Sequence, residues 1–474
     1  MIKLLFSSIS FLYLYLPIVL GCYYIIPTAF RNIFLFMASL VFYAWGEPVY
    51  IWIMLFSTFS DYVHGILIDR FRSNKKLAKN LVFSAIVVNL LLLGYFKYIG
   101  FFARTLKGIL PIFSNLYVPE VSLPIGISFY TFQTMSYSID IYQKNAEVKK
   151  NMFSFGAYVT LFPQLIAGPI VRYKDVATQL DDKKRESIFK FSKGIRLFLI
   201  GLSKKVLLAN SMGEVWNFLK ESPDKNGTTA SWVGLVAYSF QMYFDFSGYS
   251  DMACGLGNMF GFEFIKNFDY PFISKSITEF WRRWHISLSI WFKEYVYIPL
   301  GGNKVSKIRN LFNIFLVWFL TGLWHGSNFN YVLWGIYFGL ILILEKFLLL
   351  KIFKKIPTFL QHTWVIFVIL LSWVIFSFED ENKMLAYAKS VFSCNDQNLF
   401  FSKDALNIFI SYLPLLIICV ISSTPFGSNI FKKMKKNNFK LCSIVELALI
   451  LISLILCTSS LLSQSYNPFL YFRF

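Results

Sequence analysis

The chain has 474 residues, of which 56% are hydrophobic, 20% aromatic and only 15% charged. Soluble domains carry roughly a quarter charged residues, so this composition excludes an ordinary soluble protein. Several windows of about twenty residues hold few or no charges, which is the length that crosses a bilayer core of roughly 30 Å. The apolar runs are continuous rather than alternating, which disfavours a transmembrane β-barrel. We therefore predict an all-α, polytopic integral membrane protein.

Positive charge exceeds negative charge by 20, with 46 Lys and Arg residues against 26 Asp and Glu residues. The basic residues gather in short loops between apolar runs, as the positive-inside rule expects of cytoplasmic loops. Nucleic acid is therefore not predicted as a partner, whereas the lipid bilayer is. We place the basic segments 70–79 and 432–440 in the cytoplasm. Counting membrane crossings from them puts both chain termini on the outer face.

In chain order, the apolar runs predict about eleven or twelve membrane-depth helices, some of them re-entrant or interfacial, in a single domain over residues 1–474. The predicted spans are 6–26, 32–45, one ending near 67, 81–101, 153–166, 194–208, 231–246, 312–323, 331–349, 364–378, 406–422 and 442–461. Segment 123–142 contains helix breakers and small polar residues. It is either a cavity-lining or re-entrant element or an ordinary span whose hydroxyls bond back to their own helix.

An aromatic and basic helix that contains His285 is predicted over residues 279–298. Ser276 and Glu279 fit a capping box at its start, and Pro299 marks its end. Tryptophans recur every three or four residues on one face, with basic residues on the remainder. This pattern is typical of a helix that lies at the membrane interface.

Two arginines, Arg282 and Arg283, lie close to His285 in this helix. Together the three side chains could help to bind an anionic, phosphate-bearing donor such as a coenzyme. The alternative is that His285 is an interfacial residue that packs against the helix below it. The residues alone leave both interpretations open.

A second histidine, His325, follows the apolar run 312–323. Ionisable groups at membrane depth are expensive, which makes them candidates for function. A neutral imidazole in a protein-lined cavity can take the proton of a hydroxyl as its oxygen attacks a carbonyl, and burial favours the neutral form. Trp324 and Gly326 beside it would shape a narrow pocket. The alternative is a structural histidine, hydrogen-bonded between helices.

Two carboxylates, Asp245 and Asp251, lie six residues apart at the end of the predicted span 231–246. They suggest acid–base or metal chemistry, but we favour the interpretation that they cap a helix or accept from buried backbone donors. The six cysteines show no metal-type spacing. No Gly-x-Ser-x-Gly, P-loop or HExxH motif occurs. We predict neither a metal site nor a permanently bound cofactor.

Two long motifs resemble the membrane-bound O-acyltransferase (MBOAT) family. They are EFWRRWHISLSIWFKEYVYIPLGGNK at 279–304 and TGLWHGSNFNYVLWGIYFG at 321–339. Further segments fit the bacterial branch that contains the alginate O-acetylation protein and the peptidoglycan O-acetyltransferase membrane subunit. These segments are QMYFDFSGYSDMACGLGNMFGFEF at 241–264, SFYTFQTMSYSIDIY at 128–142, FPQLIAGPIVR at 162–172 and FYAWGEP at 42–48.

The resemblance implies a polytopic helical fold with a funnel that leads to a buried histidine. His325 matches the catalytic histidine of the family and His285 its second signature residue, while Asn328, Asp245 and Asp251 are candidate pocket residues. The implied reaction moves an acetyl group from acetyl-CoA, as donor substrate, across a bacterial inner membrane. A periplasmic SGNH-type acetyltransferase or esterase-like partner would then place it on an alginate-like exopolysaccharide or on peptidoglycan.

The tail NPFLYFRF at 467–474 is similar to that of related acyl-transfer systems, in which a near-terminal tyrosine is a proposed acyl carrier. Tyr471 is thus a candidate acyl relay on the outer face, and the alternative is an aromatic anchor at the membrane interface. Two other functions stay open for the whole chain. One is a transporter that flips an acyl or polysaccharide precursor without transferring it. The other is an MBOAT enzyme that acylates a lipid, a protein or a D-alanyl carrier.

Overall fold

The computed structural model describes residues 4–166, 168–221, 223–393, 401–463 and 467. Regular secondary structure within these ranges is helical, which confirms the predicted all-α class. Six helical runs in the described part are long and apolar enough to cross a membrane, so the chain is a multi-pass membrane protein. They are Thr28–Gly46, Ile51–Arg70, Lys75–Ile109, Thr358–Ser377, Lys403–Ser422 and Phe439–Ser463. The larger number of membrane-depth elements stays a prediction.

The amino-terminal helices follow the predicted apolar runs. They are α1 (Leu16–Ile25), α2 (Arg31–Gly46), α3 (Ile51–Arg70), α4 (Lys75–Leu93), α5 (Ile99–Ile109), α6 (Ile127–Gln143), α7 (Met152–Thr160), α8 (Phe162–Leu165) and α9 (Tyr173–Asp181). A π-helical turn, Phe11–Tyr15, leads into α1, and another, Gly94–Tyr98, joins α4 to α5. The joined run Lys75–Ile109 extends the predicted span 81–101 at both ends.

Helix α6 corresponds to the polar segment 123–142 and is an internal helix, with 14 of its 17 residues buried. The Ser136 hydroxyl donates to the Gln133 carbonyl at 2.6 Å, as the back-bonding interpretation predicted. The Thr134 hydroxyl also donates to Oδ1 of Asn89 on α4 at 3.0 Å. A polar helix is stable in the protein interior because the surrounding protein supplies these hydrogen-bond partners.

The middle of the chain is organised around one long helix. The elements are α10 (Ile188–Ser203), a π-helical turn (Lys204–Ala209), α11 (Asn210–Glu221), α12 (Pro223–Asn226), α13 (Thr228–Met259), α14 (Ile277–Arg283) and α15 (Ile286–Phe292). Helix α13 does not end near 246 as predicted but runs for 32 residues, 26 of them buried. It packs closely on α10, since a Cβ added to Gly248 would lie 2.7 Å from the Gly201 carbonyl oxygen.

The favoured interpretation of Asp245 and Asp251 as helix caps is wrong, because both lie inside α13 and form ion pairs. Asp245 is 2.8 Å from Nζ of Lys205, and the two side chains are only 3% and 2% exposed. Asp251 is 2.6 Å from Nζ of Lys204, in a more exposed pair. The sequence shows the carboxylates but does not show which cations, some forty residues earlier, the packing of α10 on α13 brings to them.

The single interfacial helix predicted over 279–298 is also wrong. The chain forms two short helices, α14 and α15, which are separated by Trp284 and His285 and followed by a π-helical turn, Lys293–Tyr297. The tryptophans of this segment are buried within the protein. The predicted cap is confirmed in part: the Ser276 hydroxyl accepts from Glu279 N at 3.0 Å, while the Glu279 carboxylate accepts from Lys275 N at 2.9 Å.

The carboxy-terminal part of the described chain is also helical. They are α16 (Lys307–His325), α17 (Phe329–Leu344), a π-helical turn (Glu345–Leu349), α18 (Leu350–Phe353), α19 (Thr358–Ser377), α20 (Glu381–Phe392), α21 (Lys403–Ser422), α22 (Phe426–Asn437) and α23 (Phe439–Ser463). Only 17% of the apolar window of α21 and 11% of that of α23 are buried. Their exposed apolar side chains suit contact with lipid.

Asp245→Ala is expected to destabilise the protein strongly, because it leaves the Lys205 ammonium buried without its carboxylate. Breaking a buried ion pair costs about 3–5 kcal/mol, whereas replacing both partners by apolar residues is often close to neutral. Thermal unfolding of the purified protein in detergent measures the loss. Asp251→Ala, in the more exposed pair, is the comparison and should lower the unfolding temperature less. A double variant, Asp245→Leu with Lys205→Met, that is no more stable than Asp245→Ala would contradict this account.

Candidate active site

His325 is the last residue of α16, and the helix itself fixes the orientation of its ring. The side chain is 2% exposed, and Nδ1 lies 2.7 Å from the carbonyl oxygen of Thr321, one turn earlier. A carbonyl oxygen can only accept, so Nδ1 carries the proton and Nε2 carries the lone pair of the neutral ring. The helix stops at Gly326, whose backbone is extended. The arrangement therefore presents a basic nitrogen at a helix end.

Aromatic rings enclose the His325 imidazole. The centroids of Trp324, Trp334 and Phe376 lie 5.0, 4.9 and 5.8 Å from that of the imidazole. These rings come from α16, α17 and α19. Gly326 is needed beside them, since a Cβ there would overlap the ring of Tyr331. Packed rings of this kind keep water away from the imidazole, and electrostatic interactions are stronger in such an environment.

His285 lies in the break between α14 and α15, in the left-handed backbone region with φ 46°. A residue other than glycine is uncommon there, and such strain clusters at functional sites. Asn267 holds the break: its Oδ1 accepts from Ser287 N at 3.0 Å and from the Ser287 hydroxyl at 2.9 Å, and lies 3.3 Å from Nδ1 of His285. The buried ring is thus aimed by the same amide that stabilises the break.

Trp324 connects the two histidines. Its ring centroid lies 5.7 Å from that of His285 and 5.0 Å from that of His325. Phe132 of α6 supports this arrangement, because it stacks on Trp291 at 3.8 Å and lies 5.8 Å from Trp324. Residues that are forty positions apart in the chain therefore form one site.

A cavity of about 300 Å³ reaches this site from one side. His285 lines it together with Thr321, whose carbonyl accepts from His325, and Val317 and Trp318 form an apolar wall. Arg282 and Lys293 also line it, and both are exposed. Its remaining lining residues are Thr278, Trp281, Leu288, Ser289, Phe292, Tyr297, Ile314 and Leu342.

The other predicted site residues lie elsewhere. Arg283 does not line the cavity; it pairs with Glu279 at 2.9 Å and Asp269 at 3.2 Å. Asn328 accepts from Phe329 N at 2.7 Å at the start of α17 and lines a different cavity of about 540 Å³. Asp245 and Asp251 pair with lysines after α10.

The prediction for Tyr471 lies outside the described residues. Among the residues that the structure describes, no group of three or more His, Cys, Asp and Glu side chains is arranged to hold a metal ion.

Sequence reasoning missed four residues of this region: Lys97, Asn267, Lys293 and Glu345. Lys97 lies in the apolar run Lys75–Ile109, and its ammonium donates to the Trp324 carbonyl. An ionisable residue inside an apolar run is a readable signal, so Lys97 could have been found. Glu345 carries the same signal, because it lies inside the predicted span 331–349, and Lys293 lies on the helix predicted around His285. Asn267 carries no such signal, because only the tertiary structure brings it to the site.

Glu345 is fully buried and caps α14 from another part of the chain. Its carboxylate accepts from Ile277 N at 2.6 Å, and from Thr278 N and the Thr278 hydroxyl at 2.8 and 2.9 Å. The Trp364 indole donates to it at 3.3 Å. The first free N–H groups of a helix need such acceptors, and negative charge suits a helix N-terminus. The cap fixes the helix that leads into His285.

The class of protein follows from comparing the whole chain with known proteins. Residues 143–387 match the model of the membrane-bound O-acyltransferase family. Together with relatives that align over nearly its full length, this match shows that the chain belongs to that family. It is a membrane-embedded O-acyltransferase.

The relatives are more specific. The chain is 37% identical to the probable alginate O-acetylase AlgI of Pseudomonas putida, over 99% of this chain and 100% of that protein. It is 31% identical to the peptidoglycan O-acetyltransferase of Helicobacter pylori, over 85% and 82% of the two chains. The teichoic acid D-alanyltransferase of Bacillus subtilis is 27% identical, over 61% and 81%. The names of the first two relatives describe acetyl transfer.

Glu345→Gln is expected to lower the unfolding temperature, because the new amide group turns a donor toward the N–H groups of Ile277 and Thr278. A buried donor left without an acceptor costs about 1–3 kcal/mol. Thermal unfolding in detergent measures the change. Glu381→Gln, in the exposed first turn of α20, is the matched control and should unfold at the wild-type temperature. Equal unfolding temperatures for wild type and Glu345→Gln would refute the cap.

Proposed function

We propose that this O-acyltransferase takes an acetyl group from cytoplasmic acetyl-CoA and passes it across a bacterial inner membrane for O-acetylation of a cell-surface polysaccharide, with His325 as general base. The observation that carries the proposal is the 2.7 Å hydrogen bond from Nδ1 of His325 to Thr321. It leaves Nε2 as the proton acceptor, in an aromatic enclosure next to a cavity. A fixed, neutral imidazole is what general-base catalysis of acyl transfer requires.

The transfer step needs one base, and its only reactants are the acceptor hydroxyl and the thioester. Nε2 of His325 takes the proton of the acceptor hydroxyl while the hydroxyl oxygen bonds to the carbonyl carbon of the thioester. The adduct then collapses and the carbon–sulfur bond breaks. The imidazolium returns its proton to the departing thiolate. The hydroxyl leaves as an acetate ester and the coenzyme leaves as a thiol, so atoms and electrons balance.

The cavity beside His285 suits an acyl-coenzyme donor. Arg282 and Lys293 are exposed at the cavity, and neither forms an ion pair within the described part of the chain. Cationic side chains bind phosphate through charge-assisted hydrogen bonds, while the apolar wall of Val317 and Trp318 suits an uncharged acyl arm. In this proposal His285 lies on the donor side, between the phosphate-binding cations and His325.

Contacts between loops support a cytoplasmic position for this cavity. Arg72, in a basic segment assigned to the cytoplasm, donates to the Ile141 carbonyl at 3.1 Å. The neighbouring Asp140 accepts from the Tyr295 hydroxyl at 2.9 Å. Tyr295 belongs to the same π-helical turn as Lys293. The donor cavity and the basic loop thus lie at the same end of α6.

The acceptor side would then be the periplasmic face, on which we place both chain termini. The second cavity, lined by Asn328, Arg104 and Glu379, lies where α16 ends and α17 begins. A periplasmic SGNH-type acetyltransferase or esterase-like partner would take the acetyl group there and place it on an alginate-like exopolysaccharide or on peptidoglycan. Tyr471, in the outer tail, is the proposed intermediate carrier. The names of the two acetylating relatives favour these acceptors over lipid or protein acceptors.

His325→Ala is expected to slow acetyl transfer strongly, since it removes the proposed proton acceptor. Purified protein in proteoliposomes, given acetyl-CoA with a labelled acetyl group, measures the release of coenzyme A and the formation of acetylated product. Loss of a general base typically lowers the rate by about 10²–10⁴-fold.

His362→Ala is the matched control, because Nδ1 of His362 is also bonded to a carbonyl, that of Ser274 at 2.9 Å, outside the site. Its activity should equal that of wild type. Full activity in His325→Ala would refute the proposed mechanism. Transport of label by the wild-type protein without any acetylated species would favour the transporter.

Arg282→Ala and Lys293→Ala are expected to raise KM for acetyl-CoA, each by roughly tenfold or more, because each removes a charge-assisted hydrogen bond worth about 1.5–3 kcal/mol. The value of kcat should change little, since neither side chain meets the reacting carbonyl. Steady-state kinetics at several salt concentrations measure both constants. Lys304→Ala, another exposed cation on the following loop, is the control and should keep the wild-type KM. Wild-type KM values in both cavity variants would place the donor elsewhere.

A further inference from the structure

Lys97 is a buried lysine in the middle of an apolar helical run. It lies within Lys75–Ile109, and its side chain is only 6% exposed. The residue belongs to the π-helical turn Gly94–Tyr98, and π-helical turns inside longer helices occur frequently at functional sites. Among the described residues no carboxylate lies within ion-pair distance of its ammonium. A buried lysine without a carboxylate partner costs stability, which makes it a candidate for function.

Lys97 and its neighbour Tyr98 both donate to the last carbonyls of α16. The Lys97 ammonium donates to the Trp324 carbonyl oxygen and, at 3.1 Å, to the Ser128 hydroxyl. The Tyr98 hydroxyl donates to the Leu323 carbonyl oxygen at 2.6 Å. The last carbonyls of a helix have no partner within the helix, and a cation near them interacts favourably with the helix dipole. The π-helical turn is therefore a side-chain cap for α16.

This cap acts directly on His325 through covalent geometry. The Trp324 carbonyl and the His325 N–H belong to one planar peptide group, so a donor that holds the oxygen also fixes the plane from which the His325 Cα projects. The ammonium lies 5.7 Å from the centroid of the Trp324 ring as well. Together with the bond from Nδ1 to Thr321, the cap leaves the imidazole little freedom to rotate or shift.

We propose that Lys97, assisted by Tyr98, is a positioning residue for acyl transfer: it holds the last turn of α16 so that Nε2 of His325 meets the reacting hydroxyl. The inference rests on the proposed role of His325. An apolar side chain of similar length would fill the same space without a buried charge. The lysine is therefore retained for the geometry of the histidine rather than for stability.

The test replaces Lys97 by Met, which preserves length and removes charge and donors. Lys97→Met should lower kcat by about tenfold to a hundredfold, the loss expected when a catalytic group is displaced by about 1 Å. KM for acetyl-CoA should stay unchanged, and the unfolding temperature should not fall. Lys97→Arg keeps a charged donor and should recover part of kcat. Lys107→Met, an exposed lysine at the end of α5, is the matched control and should match wild type.

Tyr98→Phe is the second variant, because it removes a single hydroxyl and should fold even if Lys97→Met does not. It should lower kcat by a smaller factor at unchanged KM. Wild-type kcat in Tyr98→Phe or in Lys97→Met, or a loss of activity that only follows the loss of folded protein, would overturn the inference. His325→Ala, assayed in parallel, separates the two claims. If it keeps full activity the proposed function fails; if it is inactive while the Lys97 and Tyr98 variants are normal, only the positioning role fails.

Discussion

The hydrogen bond from Nδ1 of His325 to the Thr321 carbonyl is the interaction on which the site depends. His325 is buried in the protein, so the protein itself must supply the partner of the imidazole, and that partner fixes which nitrogen carries the proton. The donor and acceptor belong to the same helical turn, which means that the geometry holds only while that turn stays formed. The aromatic rings around it, and the cap that Lys97 and Tyr98 place on the helix end, all preserve that turn.

The same constraint explains how the rest of the polar interior is arranged. Buried charges are paired or bonded within the protein: Lys205 with Asp245 between the α10 region and α13, and Glu345 with the first N–H groups of α14. Each of these contacts joins distant parts of the chain and so fixes one helix relative to another. Buried polar groups thus order the helices around the site, as expected where lipid provides no partner.

His285 shows how strain and support combine at this site. Its left-handed backbone is costly for a residue with a Cβ, by roughly 1–2 kcal/mol, and Asn267 offsets that cost with two hydrogen bonds to Ser287, directly after the break. In a continuous helix the side chain at position 285 would lie on one regular face of that helix. The break instead turns the ring toward Trp324 and the cavity of about 300 Å³.

The sequence by itself determined the class, the helical fold and most apolar runs, because hydrophobic length is a local property. It also singled out His325 beside an apolar run, and the role of that residue stays a prediction. It misjudged the helix break at His285, the pairing of Asp245 and Asp251, and the direction of Arg283. It also overlooked the cap at the end of α16. These features depend on which distant side chains meet after packing, and Asn267 or Glu345 can reach their partners only in the folded protein. The spacing of apolar residues predicts which face of a helix is buried, whereas only the tertiary structure determines which residues that face contacts.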